Sequence, residues 1–268
     1  MYLTRHQTVS GPRWAVDGHF LPQPINLKTL LALPYAAMIN MLHALPVGET
    51  AVPHLLPPLD PEHEVWAAGV TYRRSREARE HESEVRDVYE KVYSAERPEL
   101  FFKAVGWRVI GHQMPIRMRH DSRWNVPEPE LTLVINGRKE IVGFCVGNDV
   151  SSRDIEGANP LYLPQAKIYN GSCAIGPGIL LAKADQLADL VIQMAILRAD
   201  EIVYQGETRS SQMKRSLSEL VHYLTLEMDF PYGAFLMTGT GLVPKDEFSL
   251  QPGDEVQITI GSLQLTNT

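Results

Sequence analysis

A pair of acids at the mouth of an apolar run constrains this chain more than any other stretch. Trp124-Asn125-Val126-Pro127-Glu128-Pro129-Glu130 leads directly into Leu131-Thr132-Leu133-Val134-Ile135. That run reads as a strand. Side chains on a strand alternate between faces, so Glu128 and Glu130 point the same way. Asn136-Gly137 signals a hairpin turn, and the chain returns from Glu140 to Asp149. For a hairpin loop of two or four residues, paired positions sum to an odd number. Odd-numbered residues of the return strand then share the face of the two glutamates, and Asp149 closes that strand. A one-residue bulge would reverse the assignment.

Carboxylates held this close raise one another's proton affinity unless positive charge lies between them. A hard divalent cation, Mg²⁺ or Ca²⁺, meets that need. The alternative is a solvated edge strand with scattered acids.

Hydrophobic content of 44% and charged content of 21% are those of an ordinary globular chain with a sizeable core. The net charge of −7 offers no basic footprint for nucleic acid and no attraction to an anionic membrane surface. Cys145 and Cys173 stand far apart in apolar surroundings and read as small buried hydrophobes in a reducing compartment. Met1 to His6 lacks an apolar signal segment, and the apolar stretch from Leu27 to Leu45 is broken by Lys28, Pro34 and His43. The expectation is a soluble cytoplasmic protein. The histidines show no zinc-ligand spacing, and no Gly-x-Ser-x-Gly elbow accompanies His120-Asp121-Ser122.

Residues 1–24 read as short strands with turns at Ser10-Gly11-Pro12 and Asp17-Gly18, and residues 27–45 as helical. Pro53, Pro57, Pro58 and Pro61 punctuate a connector, which places a boundary near residue 62. Strands follow at Glu64–Val70 and Leu100–Lys103, with an alternating stretch at Pro115–Arg119. Between Arg73 and Tyr93 the chain is rich in Arg and Glu, with a narrow apolar stripe at Val85, Val88, Tyr89 and Val92. This is either a solvated helix or a lid over a ligand. A hairpin around Ala199-Asp200, a helix over 210–226 including Met213, and paired strands at Glu255–Ile260 and Leu263–Leu265 complete the reading. Gly176-Pro177-Gly178 reads as a turn, its central proline excluding a dinucleotide fingerprint. Many short strands with few helices predict an α+β fold dominated by β-structure, with a small N-terminal domain over 1–61 and a main domain over 62–268.

These motifs resemble the fumarylacetoacetate hydrolase superfamily. The resemblance rests on Glu128-x-Glu130, on Asn148-Asp149-Val150-Ser151-Ser152-Arg153-Asp154, on Lys167 in Gln165-Ala166-Lys167, and on Thr238-Gly239-Thr240. It covers about residues 62–265. It implies a mixed β-roll or sandwich core in a catalytic domain, a Mg²⁺ site on Glu128, Glu130 and Asp149 (Mn²⁺ or Ca²⁺ being alternatives), and a homodimer or homotetramer. Tyr89–Tyr93, Arg97–Ala104, Trp124–Glu130 and Glu156–Gln165 are more similar to the 2-keto-3-deoxy-D-arabinonate dehydratases of that superfamily. The hydrolases usually carry a general-base histidine shortly after a Gly-x-Asn-Tyr turn. Here Gly69-Val70-Thr71-Tyr72-Arg73-Arg74-Ser75 puts Ser75 at that position, and His81 follows six residues later on another helical face. A serine does not activate water by itself at neutral pH.

The resemblance therefore implies a Mg²⁺-dependent lyase that dehydrates a 2-keto-3-deoxy sugar acid. A C–C hydrolase of acylpyruvates or 2,4-diketo acids is the alternative, and a noncatalytic binding module a third. Lys167 is the candidate for orienting the 2-oxo acid and moving a proton. Glu99, set against Leu100-Phe101-Phe102, is the candidate acid–base group for the leaving hydroxyl. Gly239, Thr240 and Phe101 are candidate substrate-binding residues. For each the alternative is an ordinary strand-edge or surface residue.

Overall fold

A computed structural model describes residues 1–82 and 86–268, and all their side chains except those of 78–82, 86 and 87. The longer strands are β1 (Tyr2–Thr8), β2 (Gly11–Val16), β3 (Glu64–Gly69), β4 (Glu99–Val105), β5 (Pro129–Ile135), β6 (Ile141–Asp149), β7 (Cys173–Leu181), β8 (Val191–Arg198), β9 (Glu201–Arg209), β10 (Ala234–Met237), β11 (Glu255–Ile260) and β12 (Leu263–Asn267). The helices are α1 (Leu27–Leu31), α2 (Tyr35–Ala44), α3 (Arg73–Glu82), α4 (Arg86–Ser94), α5 (Arg153–Ala158), α6 (Leu163–Lys167) and α7 (Leu217–Leu224). The larger sheet runs β2-β1-β7-β6-β5-β10-β3-β4, with short strands at His19–Phe20 and Leu55–Leu56 added near β1 and β2. Its neighbours are antiparallel except β10 and β3, which are parallel. The second sheet runs β9-β8-β11-β12. Neither closes on itself, so the fold is strand-rich and mixed, as expected.

The larger sheet has apolar layers on both faces. Leu131, Leu133, Ile135, Phe144 and Val146 pack toward Ile192, Met194, Ile258 and Ile260 of the second sheet and Leu220 and Leu224 of α7. Val134, Val142 and Cys145 pack the other way, against Leu3, Trp14, Leu27, Leu30 and Met38. Strands covered on both sides need continuous apolar sequence rather than alternation, which is what Leu131–Ile135 provides. Residues 1–61 join this arrangement through the β1–β7 pair and the shared apolar layer.

The hairpin of β5 and β6 reaches the expected facing by another route. The Asn136 amide donates to the Glu140 carbonyl (3.0 Å), closing a loop longer by one residue than the four assumed. The residue in the left-handed region is Lys139 (φ 65°). That loop alone would reverse the parity. A register shift between Val134 and Ile135 restores it, so Glu130 faces Gly147 and Pro129 faces Asn148.

Three local readings are corrected. Gly176-Pro177-Gly178 lies inside β7, where the register against β6 shifts between Gly176 and Leu180. A proline, which has no N–H for the ladder, is accommodated at such an irregularity. The helix expected from residue 210 starts at Leu217, because the Ser216 hydroxyl caps it by accepting from the Glu219 amide (3.1 Å). Met213 therefore lies outside it. Pro115–Arg119 forms no strand; the Ile116 and Arg117 amides donate to the Thr268 and Gly171 carbonyls (2.9 Å each). Of the stripe expected between Arg73 and Tyr93, Tyr89 is buried, and Val85 lies outside the described residues.

The registers bring the C-terminal ends of β3, β6 and β10 beside the N-terminal ends of β4 and β5. The acids lie at this end of the sheet.

Candidate active site

Glu128, Glu130 and Asp149 are all buried, and each offers an oxygen within 4.8 Å of the others'. Opposite ligands of one ion are about 4.2 Å apart for Mg²⁺ and about 5 Å for Ca²⁺. Three hard oxygen donors at this spacing fit such an ion. The donor set has no sulfur or imidazole to favour a softer metal.

Three cations offset the three carboxylates. Lys167 Nζ donates to Glu128 Oε2 (2.7 Å), Asp149 Oδ2 (3.0 Å) and Ser151 Oγ (2.5 Å), so its three N–H bonds are used. Arg153 reaches Glu128 Oε1 (2.9 Å), and Lys103 reaches Asp149 Oδ1 (2.5 Å). Lys103 is wholly buried, and it also donates to the Val150 carbonyl (3.1 Å) and the Lys167 carbonyl (2.6 Å). These carbonyls hold the lysine end of the buried ion pair, since burying an unpartnered charge is expensive.

Glu130 is held differently. Its Oε2 accepts from the Gly239 amide (2.6 Å). Burial first, then the Asp149 and Glu128 charges, push its carboxyl well above the usual range; Lys167 and the Gly239 amide pull it back. Burial, with the Glu130 charge second, also raises the Tyr72 phenol. Gly239 has φ of 90°, and a Cβ there would lie 2.1 Å from Thr71 Oγ1. Only glycine suits both constraints. Thr71 Oγ1 in turn donates to the Thr238 carbonyl (2.7 Å). Next to it Val70 adopts φ of 52°, a rare conformation for a β-branched residue, at the edge of the cleft.

The cleft above the acids has a volume of about 20 Å³ and is lined by every candidate residue of the sequence: Glu99, Phe101, Glu128, Glu130, Asp149, Lys167, Gly239 and Thr240. Lys167 Nζ stands 5.7 Å from the Phe101 ring centroid. The Gly239 amide is committed to Glu130, and Thr240 Oγ1 exchanges hydrogen bonds with Leu242 (3.1 and 3.2 Å). Ser75 lines the cleft with its hydroxyl donating to the Tyr72 carbonyl (2.8 Å). The His81 side chain lies outside the described residues.

Lys103, Arg153 and Glu156 were not among the candidates. Glu156 is buried and lines the cleft. The signals were present. Glu99, Phe101 and Lys103 alternate on one strand and so share a face. Arg153 and Glu156 are three apart on α5 and so neighbours on its surface.

The fumarylacetoacetate hydrolase C-terminal family model matches residues 64–268. A relative from Haloferax volcanii, named probable 2-keto-3-deoxyxylonate dehydratase, is 51% identical over 208 residues, covering 77% of this chain and 71% of its own. One from Saccharolobus solfataricus, named 2-dehydro-3-deoxy-D-arabinonate dehydratase, is 40% identical over 213 residues, covering 77% and 70%. Dehydratases are hydro-lyases. Among solved structures, 2-keto-3-deoxy-D-arabinonate dehydratase complexed with magnesium and 2,5-dioxopentanoate superposes with a TM-score of 0.83 at 32% identity, covering 100% of this chain and 98% of that one. Among the described residues no helix is long and apolar enough to cross a membrane. A family model spanning this much of the sequence, together with these relatives, shows that the chain belongs to the fumarylacetoacetate hydrolase family.

Proposed function

We propose that this chain is a Mg²⁺-dependent dehydratase that converts a 2-keto-3-deoxy pentonate, such as 2-keto-3-deoxy-D-arabinonate, to 2,5-dioxopentanoate and water. The observation that carries this reading is the buried Glu128–Glu130–Asp149 cluster, bridged by Lys167, in a cleft that also presents Glu99. The names of the relatives supply the substrate class.

Held by Glu128, Glu130 and Asp149, Mg²⁺ would supply Lewis-acid polarisation of the substrate's 2-oxo group. Mn²⁺ and Ca²⁺ suit the same donors. As the ammonium Lys167 orients the 2-oxo acid, and as the neutral amine it takes a proton from C3. Glu99, which also lines the cleft, gives a proton to the C4 hydroxyl, which departs as water. Proton shifts then move the remaining unsaturation out to C5 as an aldehyde. Phe101 is the apolar wall, and Gly239 with Thr240 closes the carboxylate end. None of this requires an attacking water, which is consistent with Ser75 standing where the hydrolases carry histidine. We assign the enzyme to the cytoplasm as a homodimer or homotetramer, with residues 1–61 a small N-terminal domain and 62–268 the catalytic one.

The test is to incubate purified protein and Mg²⁺ with the deoxy sugar acid and, separately, with an acylpyruvate. The expected result is 2,5-dioxopentanoate from the first. Pyruvate release from the second as the main activity refutes the proposal.

A further inference from the structure

Gly69 ends β3 and pairs with Glu99 at the start of β4. Its backbone lies outside the left-handed region, so no turn geometry demands glycine there. What a side chain would meet explains the residue. A Cβ at Gly69 would lie 2.1 Å from Glu99 Oε2, 2.6 Å from its Cδ and 3.3 Å from its Cγ. The three nearest atoms all belong to that one side chain. The Glu99 carboxyl lies across the bare Cα of Gly69, and both residues line the cleft.

We propose that Gly69 is a positioning residue that lets the Glu99 carboxyl lie against the sheet and face the cleft. This rests on the role given to Glu99 above. A methyl group at Gly69 collides only with the far end of a flexible side chain. The collision is relieved by rotating Glu99 to another rotamer, not by moving backbone. Gly69→Ala therefore keeps the fold and the acid cluster while displacing one carboxyl.

The test is a double-mutant cycle of Gly69→Ala and Glu99→Gln, read by kcat, KM, thermal midpoint, Mg²⁺ affinity by calorimetry, and a crystal structure of Gly69→Ala. Gly69→Ala is expected to lower kcat by about 10²-fold or more, the range of a misplaced acid–base group. KM, the thermal midpoint and the Mg²⁺ affinity stay near those of the parent. Adding Gly69→Ala to Glu99→Gln costs nothing further, because both changes remove one function. In the crystal the Glu99 carboxyl has left its place over residue 69. A parent-like kcat, losses that multiply in the double variant, a chain that fails to fold, or a Glu99 carboxyl still in place each overturn the proposal. If the parent protein dehydrates no sugar acid, the functional reading fails, and the crystallographic arm still decides the role of Gly69.

Discussion

Two of the antiparallel hairpins, β5–β6 and β8–β9, are similar in construction and opposite in environment. In the β5–β6 hairpin all of Pro129–Ile135 and nearly all of Ile141–Asp149 are buried, and its acids sit at the open end among three cations. In the β8–β9 hairpin most of the outer strand is exposed, and Glu207 accepts a hydrogen bond from Gln193 (2.8 Å) in solvent. The same residue type thus occupies two different physical regimes. A carboxylate on the exposed strand is stabilised by water and is nearly indifferent to its neighbours. A carboxylate on the buried strand exists only because Arg153, Lys103, Lys167 or a backbone amide meets it. A buried set of acids is retained at a cost in stability, and a bound cation is the simplest return for that cost.

The largest break in this contrast comes from the cluster itself. Asp149→Ala is expected to abolish measurable turnover and cation binding together, as assayed by product formation and calorimetry. Parent-like Mg²⁺ affinity in that variant would separate the cluster from the cation. Next, Arg153→Met leaves Glu128 Oε1 without its cation in a buried site. Denaturant unfolding of the metal-free protein should show a loss of about 3–5 kcal/mol. A loss below about 1 kcal/mol would place the pair in the same regime as the surface acids. Third, saturating Mg²⁺ should raise the thermal midpoint of the parent, by about 2.7 kcal/mol of stability at a hundredfold excess over Kd. Glu130→Gln should lose most of that shift while its metal-free form melts no lower than the parent, because a buried carboxyl whose proton affinity is raised well above the usual range has been neutralised. Last, Glu207→Ala should change stability by less than about 0.5 kcal/mol; a larger loss would blur the distinction between the hairpins.

Much of the site could be read from the sequence because it follows two simple periodicities. Glu128, Glu130 and Asp149 share a face by alternation across one hairpin, although the loop and the register shift each depart from the simplest hairpin and compensate one another. The residues that make the cluster tolerable were less visible. Lys103 comes from β4, which β5, β10 and β3 separate from β6 in the sheet, and Arg153 from a short helix, and no local pattern states that their charges meet Asp149 and Glu128. Irregular backbone was harder still. A proline between two glycines looks like a turn, yet a register shift holds it in β7. The helix predicted from residue 210 is cut back to Leu217 by a serine cap that competes with apolar periodicity. The α+β, strand-dominated architecture was legible because its central strands are long apolar runs. The order of strands in the sheet was not, since it depends on contacts between distant segments such as β1 with β7.

The most direct measurement is turnover of 2-keto-3-deoxy-D-arabinonate by the purified protein before chelation, after exhaustive chelation, and after Mg²⁺ is restored. The account predicts formation of 2,5-dioxopentanoate, its loss on chelation, and its return with the cation. Undiminished turnover in the chelated sample would contradict it.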